Sequence, residues 1–459
     1  MKFTLNWLKD HLETECSLSE ICDGLVRLGH EVEEIVDPEQ SLSDFRIVEI
    51  KEAQPHPEAD RLQLCAVEDN GSILQIVCGA PNARAGLKTV LAPIGTYVPG
   101  IDIIIKKGII RGQESNGMLC AFSELGLDDD SDGIIELPDD APLGTSYIEY
   151  ADLNDPVIEI AITPNRGDCL GVRGIARDLS AASIGRMKPL DTSQCKGEFD
   201  SPIHWALSPD AVEIVPRVTG RYFQDVANKS SPEWMARRLI SIGQRPISAL
   251  VDITNYIMID LGRPLHAFDA DKISGDTLFI RRANAGEKIL ALNEKEYECT
   301  PDMLVIGDRD GADDIAGIMG GERTGIRDDT QNLFLEIAIF DPISVAATGR
   351  TLNINSDARY RFERGLDGES PDLLSGYIAR FVQSICGGKI SREVSVGAGV
   401  LCSNVALYSK INALSNLEFL TGIPGGVGGS VAMNAGCYNN EIADYLISAI
   451  AVDYAGNIL

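Results

Sequence analysis

Apolar residues recur along this chain at helical or strand intervals, and the interval changes from one segment to the next. Near the start, Ser17 and Glu20 have the spacing of a capping box, and apolar residues then repeat every three or four positions. We predict a helix that Gly29 ends, because glycine commonly occupies the position after a helix. A strand from His30 to Val36 should follow.

Short strands separated by turns are predicted from about Phe45 to Pro138. The apolar runs that carry this pattern are FRIVEI, LQLCAVED, ILQIVCGA, KTVLAPIG and IDIIIKK. Strands of this length and spacing are typical of a small barrel or sandwich.

The pattern after residue 150 mixes helices and strands. A strand (Val157–Ile162) and a helix are predicted up to residue 190, and the polar stretch Asp191–Ser208 indicates a domain joint. Residues 210–396 look like one α+β domain, which makes the fold class α+β multidomain. Its predicted helices begin at Ser231-Pro232 (N-cap and first position), run from about 247 to 261, and run from Ser370-Pro371 to Gly387.

One strand in this domain, LFLEIAIF (Leu333–Phe340), is apolar on both faces and carries Glu336 at its centre. A carboxylate inside an apolar strand is costly unless it is paired, protonated or able to bind a ligand. Glu336 is therefore a candidate site residue. A structural role, with the carboxylate satisfied by a neighbouring arginine or a backbone N–H, fits the pattern equally well.

Composition narrows the function classes. The chain has 459 residues, a length typical of about three domains, and a formal net charge of −29. That charge disfavours bulk attraction to nucleic acid or to an anionic membrane, so any RNA contact requires a local basic patch.

The eleven cysteines are scattered without CxxC pairs, which argues for reduced thiols and against a structural zinc site. No apolar run approaches the ~18 residues of a membrane span, so we expect a soluble, cytoplasmic protein.

The segment of short strands contains cationic residues that could form such a patch. Lys88, Lys106, Lys107 and Arg111 are its candidate RNA contacts. For each of these residues alone, a solvated surface position without a partner is the simpler interpretation.

Several separate motifs occur in an order that resembles one family. They are NWL near the start, HPEADRLQLCAVED, IVCGAPNARAG, RGQESNGMLCAFSELGL, TPNRGDCLG, VDITNY, GRPLHAFD, AGIMGGE, LEIAIFDP and RYRFERGLD. Residues 1 to about 396 resemble the amino-terminal half of the bacterial phenylalanyl-tRNA synthetase beta subunit. The resemblance implies a B1-like domain (1–40 with 150–190), interrupted by an oligonucleotide-binding (OB-fold) barrel that contacts tRNA (41–149). A B3/B4 editing domain (210–396) that hydrolyses tRNA carrying tyrosine by mistake would follow.

The resemblance gives the surroundings of Glu336 a mechanism. Phenylalanine and tyrosine differ by one hydroxyl, and an apolar synthetic pocket rejects an added hydroxyl poorly, so a second, hydrolytic site is needed. There Glu336 would accept a hydrogen bond from the tyrosine hydroxyl and would stay buried and unpaired with phenylalanine bound. The family pattern implies that the rest of this pocket comes from Thr254, His266 and the backbone of Gly317, Gly320 and Gly321.

His266 has two interpretations. The pattern predicts it in the loop immediately after the helix that ends near residue 261, where a histidine is often a hydrogen-bonded structural residue. The resemblance makes it a pocket residue. The attacking water would be oriented by backbone, by His266 or by a hydroxyl of the tRNA, and the sequence does not choose among them.

The sequence from about Gly397 resembles a different family, the flavoenzyme UDP-N-acetylenolpyruvoylglucosamine reductase. Its glycine-dense loop, GIPGGVGGSVAMNAG (422–436), matches neither a Walker A motif nor a GxGxxG fingerprint, so its residues alone suggest phosphate binding only weakly. The family's earlier flavin segment and its later substrate domain are missing, so we expect FAD to bind poorly. The resemblance implies that cofactor contacts would come from Gly425, Gly426, Gly428, Gly429 and Asn434.

The chain is thus interpreted as a chimera joined near Ser395–Val400, and its last residues fall inside an apparent hairpin, which suggests truncation. A natural fusion, a recombination scar and an assembly error all fit this junction. Residues 397–459 would be a fragment of an FAD-binding α+β domain.

Three functions remain open. The first is the tRNA-binding and editing half of a phenylalanine–tRNA ligase beta subunit. In that family, aminoacylation with ATP and Mg²⁺ belongs to the alpha subunit of a heterotetramer, so this chain alone should not charge tRNA, and its missing half should impair assembly. The alternatives are a non-catalytic tRNA-binding module and a fragment of an FAD-dependent UDP-N-acetylmuramate dehydrogenase. No metal ligand is expected in this chain.

Overall fold

The computed structural model of the protein describes residues 1–127 and 132–392, together with residues 402, 405, 406, 417, 419, 420, 423, 427–432, 434–437 and 440–442. These residues form two units. One contains residue 1, residues 7–32 and the chain from residue 160 onward, and the other contains residues 2–6 and 33–159. The predicted junction near Ser395–Val400 lies outside the described residues.

The predicted capping box forms at the second helix. Ser17 Oγ accepts a hydrogen bond from the backbone N–H of Glu20 at 3.3 Å, and the Glu20 carboxylate accepts one from the Ser17 N–H at 2.8 Å. The helix ends at Arg27, and Gly29 follows with φ +88°. The first elements are β1 (Lys2–Thr4), α1 (Leu5–His11), β2 (Leu12–Glu13), α2 (Leu18–Arg27), β3 (Glu31–Val36) and α3 (Pro38–Leu42).

The segment of short strands forms an antiparallel sheet with the order β12-β7-β4-β5-β6. Its elements are β4 (Arg46–His56), β5 (Ala59–Asp69), β6 (Ser72–Cys78), β7 (Lys88–Ala92), β8 (Tyr97–Val98), β9 (Ile103–Ile104), β10 (Gly108–Ile110), β11 (Gln113–Ser115) and β12 (Met118–Leu119). The N–H of Asn116 donates to Gln75 O, and the N–H of Val77 donates to Ser115 Oγ, so the two edges of the sheet meet as in a barrel.

The run IDIIIKK does not form the predicted long strand. A 3₁₀ turn (Pro99–Ile101) and Asp102, at φ +52°, bend the chain, so only Ile103 and Ile104 pair, with β8. Both isoleucines are exposed, because this hairpin is not part of the five-stranded sheet.

Four further elements follow the barrel. They are α4 (Tyr147–Tyr150), β13 (Val157–Ala161), α5 (Val172–Ala181) and β14 (Arg186–Met187). β1 pairs with β13 in antiparallel register, Lys2 opposite Glu159, and β14 pairs with β2.

Two sheets carry the predicted α+β domain, with the orders β15-β25-β17-β24-β18 and β16-β19-β22-β23. Its elements are β15 (Phe199–Asp200), β16 (His204–Leu207), β17 (Arg217–Gln224), α6 (Glu233–Ser241), α7 (Ala249–Leu261), β18 (His266–Asp269), β19 (Thr277–Arg282), β20 (Glu287–Leu290), β21 (Glu296–Cys299), β22 (Leu304–Asp308), β23 (Gly311–Ile315), β24 (Leu333–Ile339), α8 (Pro342–Leu352), α9 (Asp357–Phe362), α10 (Ser370–Cys386) and β25 (Lys389–Arg392).

The predicted helix starts are corrected by one residue. Pro232 is the N-cap of α6 rather than its first residue, and the Ser231 hydroxyl donates to the Asp252 carboxylate instead of capping the helix. Ser370 is the first residue of α10 rather than its N-cap, and its hydroxyl donates to the carbonyl of Asp367. The predicted end of α7 at Gly262 is confirmed, with φ +69°.

The described residues of the carboxy-terminal part include α11 (Val427–Ala432), β26 (Gly436–Cys437) and β27 (Asn440–Glu441). A small apolar cluster contains Cys402, Phe419 and Leu420. Among the helices formed by described residues, none has the length and apolar character needed to span a membrane.

Candidate active site

Glu336 lies at the centre of β24, whose seven residues are all buried, as the apolar pattern predicts. The strand runs between two neighbours, with Gly220 of β17 and His266 of β18 opposite Glu336 in antiparallel register. Residues directly opposite each other in an antiparallel pair project from the same face, so His266 and Glu336 share one side of the sheet. A side chain at Gly220 would collide with Phe334 and Trp205, so this position accepts only glycine without rearrangement.

The Glu336 carboxyl is 5% exposed and receives no hydrogen bond from any described residue. Burial raises the pKa of Glu336 to about 8, and the attraction of the nearby Arg263 guanidinium only partly opposes this rise. At neutral pH the carboxyl is therefore largely protonated, and it is able to donate or to accept a hydrogen bond. The structural role considered from the sequence was a carboxylate satisfied by a neighbouring arginine or a backbone N–H. Arg263 is such a neighbour and acts on Glu336 through its charge, but no described residue donates a hydrogen bond to this carboxyl.

His266 is the first residue of β18, not a loop residue as the pattern predicted. The strand begins two residues after Pro264, because pairing with β24 extends to the level of Glu336. Phe268 packs against the His266 ring edge to face, with 4.5 Å between ring centroids. Burial lowers the pKa of His266 to about 4, so the imidazole is neutral at physiological pH.

Asp314, near the end of β23, lies beside His266. Oδ2 of Asp314 is 3.1 Å from Nε2 of His266, but the two atoms are not aligned for a hydrogen bond. Burial, together with the neighbouring Asp313 and Glu336 carboxyls, raises the pKa of Asp314 well above its ordinary value. The contact is not an ion pair, because the imidazole is neutral. The sequence pattern did not single out Asp314, although two adjacent carboxylates a few residues before a glycine-rich turn were a usable signal.

The AGIMGGE segment forms a tight turn after β23. Gly317 adopts φ +71°, and a Cβ there would lie 2.8 Å from Cδ2 of Phe340. A Cβ on Gly320 would lie 2.2 Å from Cε1 of His266, so the bare backbone of Gly320 lies directly against the imidazole. The N–H of Gly321 donates to Oδ1 of Asp314 at 2.7 Å. For the N–H groups of Gly317 and Gly320, no acceptor occurs among the residues that the structure describes.

These groups surround one cavity of about 410 Å³, counted to its open mouth. Its polar side chains are His266, Asp314 and Glu336. The remaining wall is apolar or backbone and consists of Pro264, Leu265, Ile306, Ile315, Ala316, Gly317, Ile318, Met319, Gly320, Phe340, Ala358 and Phe362. The structure therefore brings together Glu336, His266, Gly317 and Gly320 among the predicted site residues, with Gly321 one residue further along the turn.

Thr254 is not among the residues that line this cavity. It lies on α7, half-buried, and its hydroxyl donates to the carbonyl of Val251 at 2.7 Å. Arg263, by contrast, was not predicted, although it precedes the cavity residues directly in GRPLHAFD. Its guanidinium is buried, donates to Ser370 Oγ at 3.1 Å, and leaves Nε and Nη2 without a described acceptor.

The candidate RNA contacts differ in exposure. Lys88 is bound within the fold, because its Nζ donates to the carbonyl of Ala141 at 2.5 Å. Lys106, Lys107 and Arg111 are exposed, and we call them the 106–111 cations. Lys107 also lies 3.0 Å from the carboxylate of Glu114, an ion pair that solvent screens. Of the four candidate RNA contacts, the three exposed ones thus lie in one short segment of the barrel.

The predicted flavin contacts are only partly described. Gly425 and Gly426 lie outside the described residues. Gly428 and Gly429 belong to the six-residue helix α11, and Asn434 follows it with φ +45°. These positions do not assemble into a described binding site for a dinucleotide.

One cluster of metal-ligand type occurs among the described residues, at His30, Cys169 and Asp178, whose ligand atoms lie within 4.8 Å of one another. Arg166 also occupies this cluster, with Nη2 2.8 Å from Sγ of Cys169 and in contact with the Asp178 carboxylate. A guanidinium at this position opposes cation binding, because its charge already neutralises the carboxylate.

Family models match three parts of the chain. The tRNA binding domain matches residues 45–146, the B3/4 domain matches residues 214–387, and the FAD binding domain matches residues 382–459. The predicted order of a tRNA-binding barrel, a B3/B4 domain and a flavin-type fragment is confirmed. The cavity, with Glu336, His266 and Asp314, lies inside the B3/4 match.

Relatives match most of the chain. The phenylalanine–tRNA ligase beta subunit of Cereibacter sphaeroides is 53% identical over 406 residues, which is 87% of this chain and 50% of that protein. The beta subunit from Zymomonas mobilis subsp. mobilis is 52% identical over 424 residues, 91% of this chain and 53% of that protein. An amino-terminal fragment of the Pyrococcus horikoshii phenylalanyl-tRNA synthetase beta subunit is 15% identical over 45% of this chain and 69% of that chain, with a TM-score of 0.25. The chain spans about half the length of the curated relatives that it matches.

Proposed function

We propose a function for this chain on the premise that its greater part belongs to the phenylalanine–tRNA ligase beta subunits, of which it spans about half the length. In this proposal, residues 45–146 bind tRNA, and the cavity beside Glu336 hydrolyses the ester of tRNA that carries tyrosine in place of phenylalanine. The reaction adds water across the aminoacyl ester and releases free tyrosine and tRNA.

The observation that supports this proposal most strongly is the buried carboxyl of Glu336 in the cavity wall, without a hydrogen-bond partner among the described residues. A bound tyrosine side chain would supply that partner through its hydroxyl. Phenylalanine would leave the carboxyl desolvated and unpaired, which costs about 1–3 kcal/mol. Discrimination in favour of the amino acid that carries the additional hydroxyl is what an editing site requires.

The surroundings of Glu336 suit ester hydrolysis. The N–H groups of Gly317 and Gly320 are available to stabilise the oxyanion that forms when water attacks the ester carbonyl. The neutral imidazole of His266 is able to accept a hydrogen bond from the attacking water. With a pKa of about 4, however, it is a weak base, so we assign it the orientation of water rather than the bulk of the proton transfer.

Contact with tRNA requires a local group of exposed cations, because the whole chain carries a net charge of −29. The 106–111 cations are the candidates within the barrel. We expect them to contact phosphates, which position an RNA without reading its sequence. Lys88 is a weaker candidate because its amine is already bonded to a backbone carbonyl.

The remaining roles rest on the family alone. The alpha subunit would contain the aminoacylation centre, which uses ATP and Mg²⁺. The complete enzyme would act in the cytoplasm. For the residues after 382, which match the FAD binding domain, the described part includes no dinucleotide site, and we propose no flavin chemistry for this chain.

The proposal is tested by a deacylation assay with the full chain. The substrate is a tRNA of phenylalanine specificity that has been charged with tyrosine. We expect hydrolysis by the wild type and its loss in Gly320→Ala, because the added methyl group displaces His266 from the cavity wall. Binding of tRNA should be unchanged in that variant. The matched control is Gly368→Ala, where a Cβ meets no atom within 4 Å. Binding of tRNA without hydrolysis by the wild type would identify a non-catalytic tRNA-binding module instead.

A further inference from the structure

The Asp314 side chain has one satisfied and one unsatisfied oxygen. Oδ1 accepts the hydrogen bond from the Gly321 N–H at 2.7 Å, which fixes the orientation of the carboxyl group. Oδ2 accepts no hydrogen bond from a described residue, although the residue is 3% exposed and lines the cavity. A buried acceptor left unsatisfied costs free energy, and in a cavity wall this arrangement indicates a donor that arrives with a ligand.

Two arginines lie near the carboxyls around Asp314, but neither donates a hydrogen bond to Asp314 itself. Arg323 binds the two oxygens of Asp308 at 2.8 and 3.0 Å, and its Nε lies 3.5 Å from Oδ1 of Asp313. Arg263 acts on Glu336. A cationic group that enters the cavity would therefore find Oδ2 of Asp314 without a cationic hydrogen-bond partner among the described residues.

We propose that Oδ2 of Asp314 binds the α-ammonium group of the aminoacyl moiety, and that the cavity thus recognises the esterified amino acid at two ends. This inference rests on the proposed hydrolysis of aminoacyl-tRNA. The ammonium group supplies the missing hydrogen-bond donor and a positive charge next to Asp314, which binds it as a carboxylate. Glu336 recognises the opposite end of the ligand, the side-chain hydroxyl.

His266 contacts or pairs with both carboxyl-bearing residues, because it lies opposite Glu336 in the sheet and 3.1 Å from Asp314. All three side chains line the same cavity. An aminoacyl ester carries an ammonium group, an ester carbonyl and a side chain on one carbon, so a single ligand brings one donor for each carboxyl.

Three esters of the same tRNA test the subsite: tyrosyl, N-acetyltyrosyl and 3-(4-hydroxyphenyl)propionyl. The last ester lacks the amino group without being larger, so it separates loss of charge from steric exclusion. Each enzymatic kcat/KM is divided by the spontaneous hydrolysis rate of that ester, because a free ammonium group makes an ester intrinsically more labile. We expect the wild type to prefer the tyrosyl ester roughly 10- to 100-fold over both analogues, the strength of a charged hydrogen bond.

The variant Asp314→Asn keeps an acceptor for the Gly321 N–H and removes the charge. We expect it to hydrolyse the tyrosyl ester as slowly as the two analogues, with the analogue rates unchanged. A folding defect would instead lower all three rates together, and that result overturns the proposal, as does an equal preference of the wild type for the three esters. The matched control Asp310→Asn, on the exposed turn before β23, should keep the wild-type preference. Hydrolysis of none of the esters by the wild type would overturn the proposed function itself, whereas equal hydrolysis of all three overturns only the ammonium subsite.

Discussion

The pH dependence of stability should change when Glu336 is replaced by glutamine. Glu336→Gln keeps the size and polarity of the side chain and removes its ionisation. In the folded protein, burial raises the pKa of this carboxyl from 4.5 to about 8. A group whose pKa is raised on folding contributes stability that is fully present below its unfolded pKa and is lost as the pH rises through its folded pKa. The wild type should therefore lose stability relative to Glu336→Gln between about pH 4.5 and pH 8.

The size of the effect follows from the pKa difference. Each unit corresponds to about 1.4 kcal/mol, so the full window corresponds to about 4–5 kcal/mol in the limit of a completely buried group. The ionisation of His266 occurs in both proteins and cancels from the difference to first order, whereas Asp314, whose pKa Glu336 helps to raise, titrates together with Glu336 and contributes to the same slope. If the new amide changes the unfolding free energy by an amount that does not depend on pH, the slope of stability against pH is unchanged.

Denaturant unfolding at pH 5, 6, 7 and 8, followed by tryptophan fluorescence, measures this difference. Trp205 is a suitable reporter because its ring lies 5.4 Å from that of Phe334 on the same strand as Glu336. The difference in unfolding free energy between Glu336→Gln and the wild type should grow with pH. Parallel pH profiles of the two proteins would refute a buried carboxyl with a raised pKa. The control Glu213→Gln changes an exposed side chain and should leave the profile unaltered.

Two further predictions concern the barrel and the glycine turn. Replacing the 106–111 cations with alanine should weaken tRNA binding. It should also make the fall of log K for tRNA binding with log salt concentration less steep, by roughly 2, because phosphate contacts release counterions. Lys88→Met is the control, and filter binding with an unchanged slope in the triple variant would argue against a phosphate-binding segment. Gly317→Ala should reduce the unfolding free energy by about 1–3 kcal/mol more than Gly365→Ala, since both have positive φ but only the first would press on Phe340. Equal losses in urea unfolding would show that this contact is relieved at no cost.

Much of the local structure followed from the sequence because it depends on neighbouring residues. The capping box at Ser17, the αL residue Gly262 at the end of α7 and the fully buried strand around Glu336 each arise from interactions within a few positions. Apolar periodicity and turn residues report on such interactions directly. The family motifs then supplied the domain order that the comparisons confirm.

The set of residues that line the cavity was harder to predict from the sequence, because it depends on the register between distant strands. His266 lies opposite Glu336 across 70 positions of sequence, and Asp314 reaches His266 from a strand of another sheet. No periodicity encodes these pairings. The predicted loop position of His266 was wrong for the same reason, since the strand forms only through its pairing with β24. Thr254, inferred from the family, has a hydroxyl that bonds to its own helix instead of lining the cavity.

Selection of the tyrosine hydroxyl by Glu336 is tested most directly by the ratio of kcat/KM for hydrolysis of tyrosyl-tRNA and phenylalanyl-tRNA made from the same tRNA. For the wild type we expect a ratio of roughly 5 to 150, the equivalent of the 1–3 kcal/mol that an unpaired buried carboxyl costs. In Glu336→Ala the ratio should fall towards one, because neither ligand then leaves a buried acceptor unsatisfied. An unchanged ratio in Glu336→Ala would contradict the role of this carboxyl in discrimination.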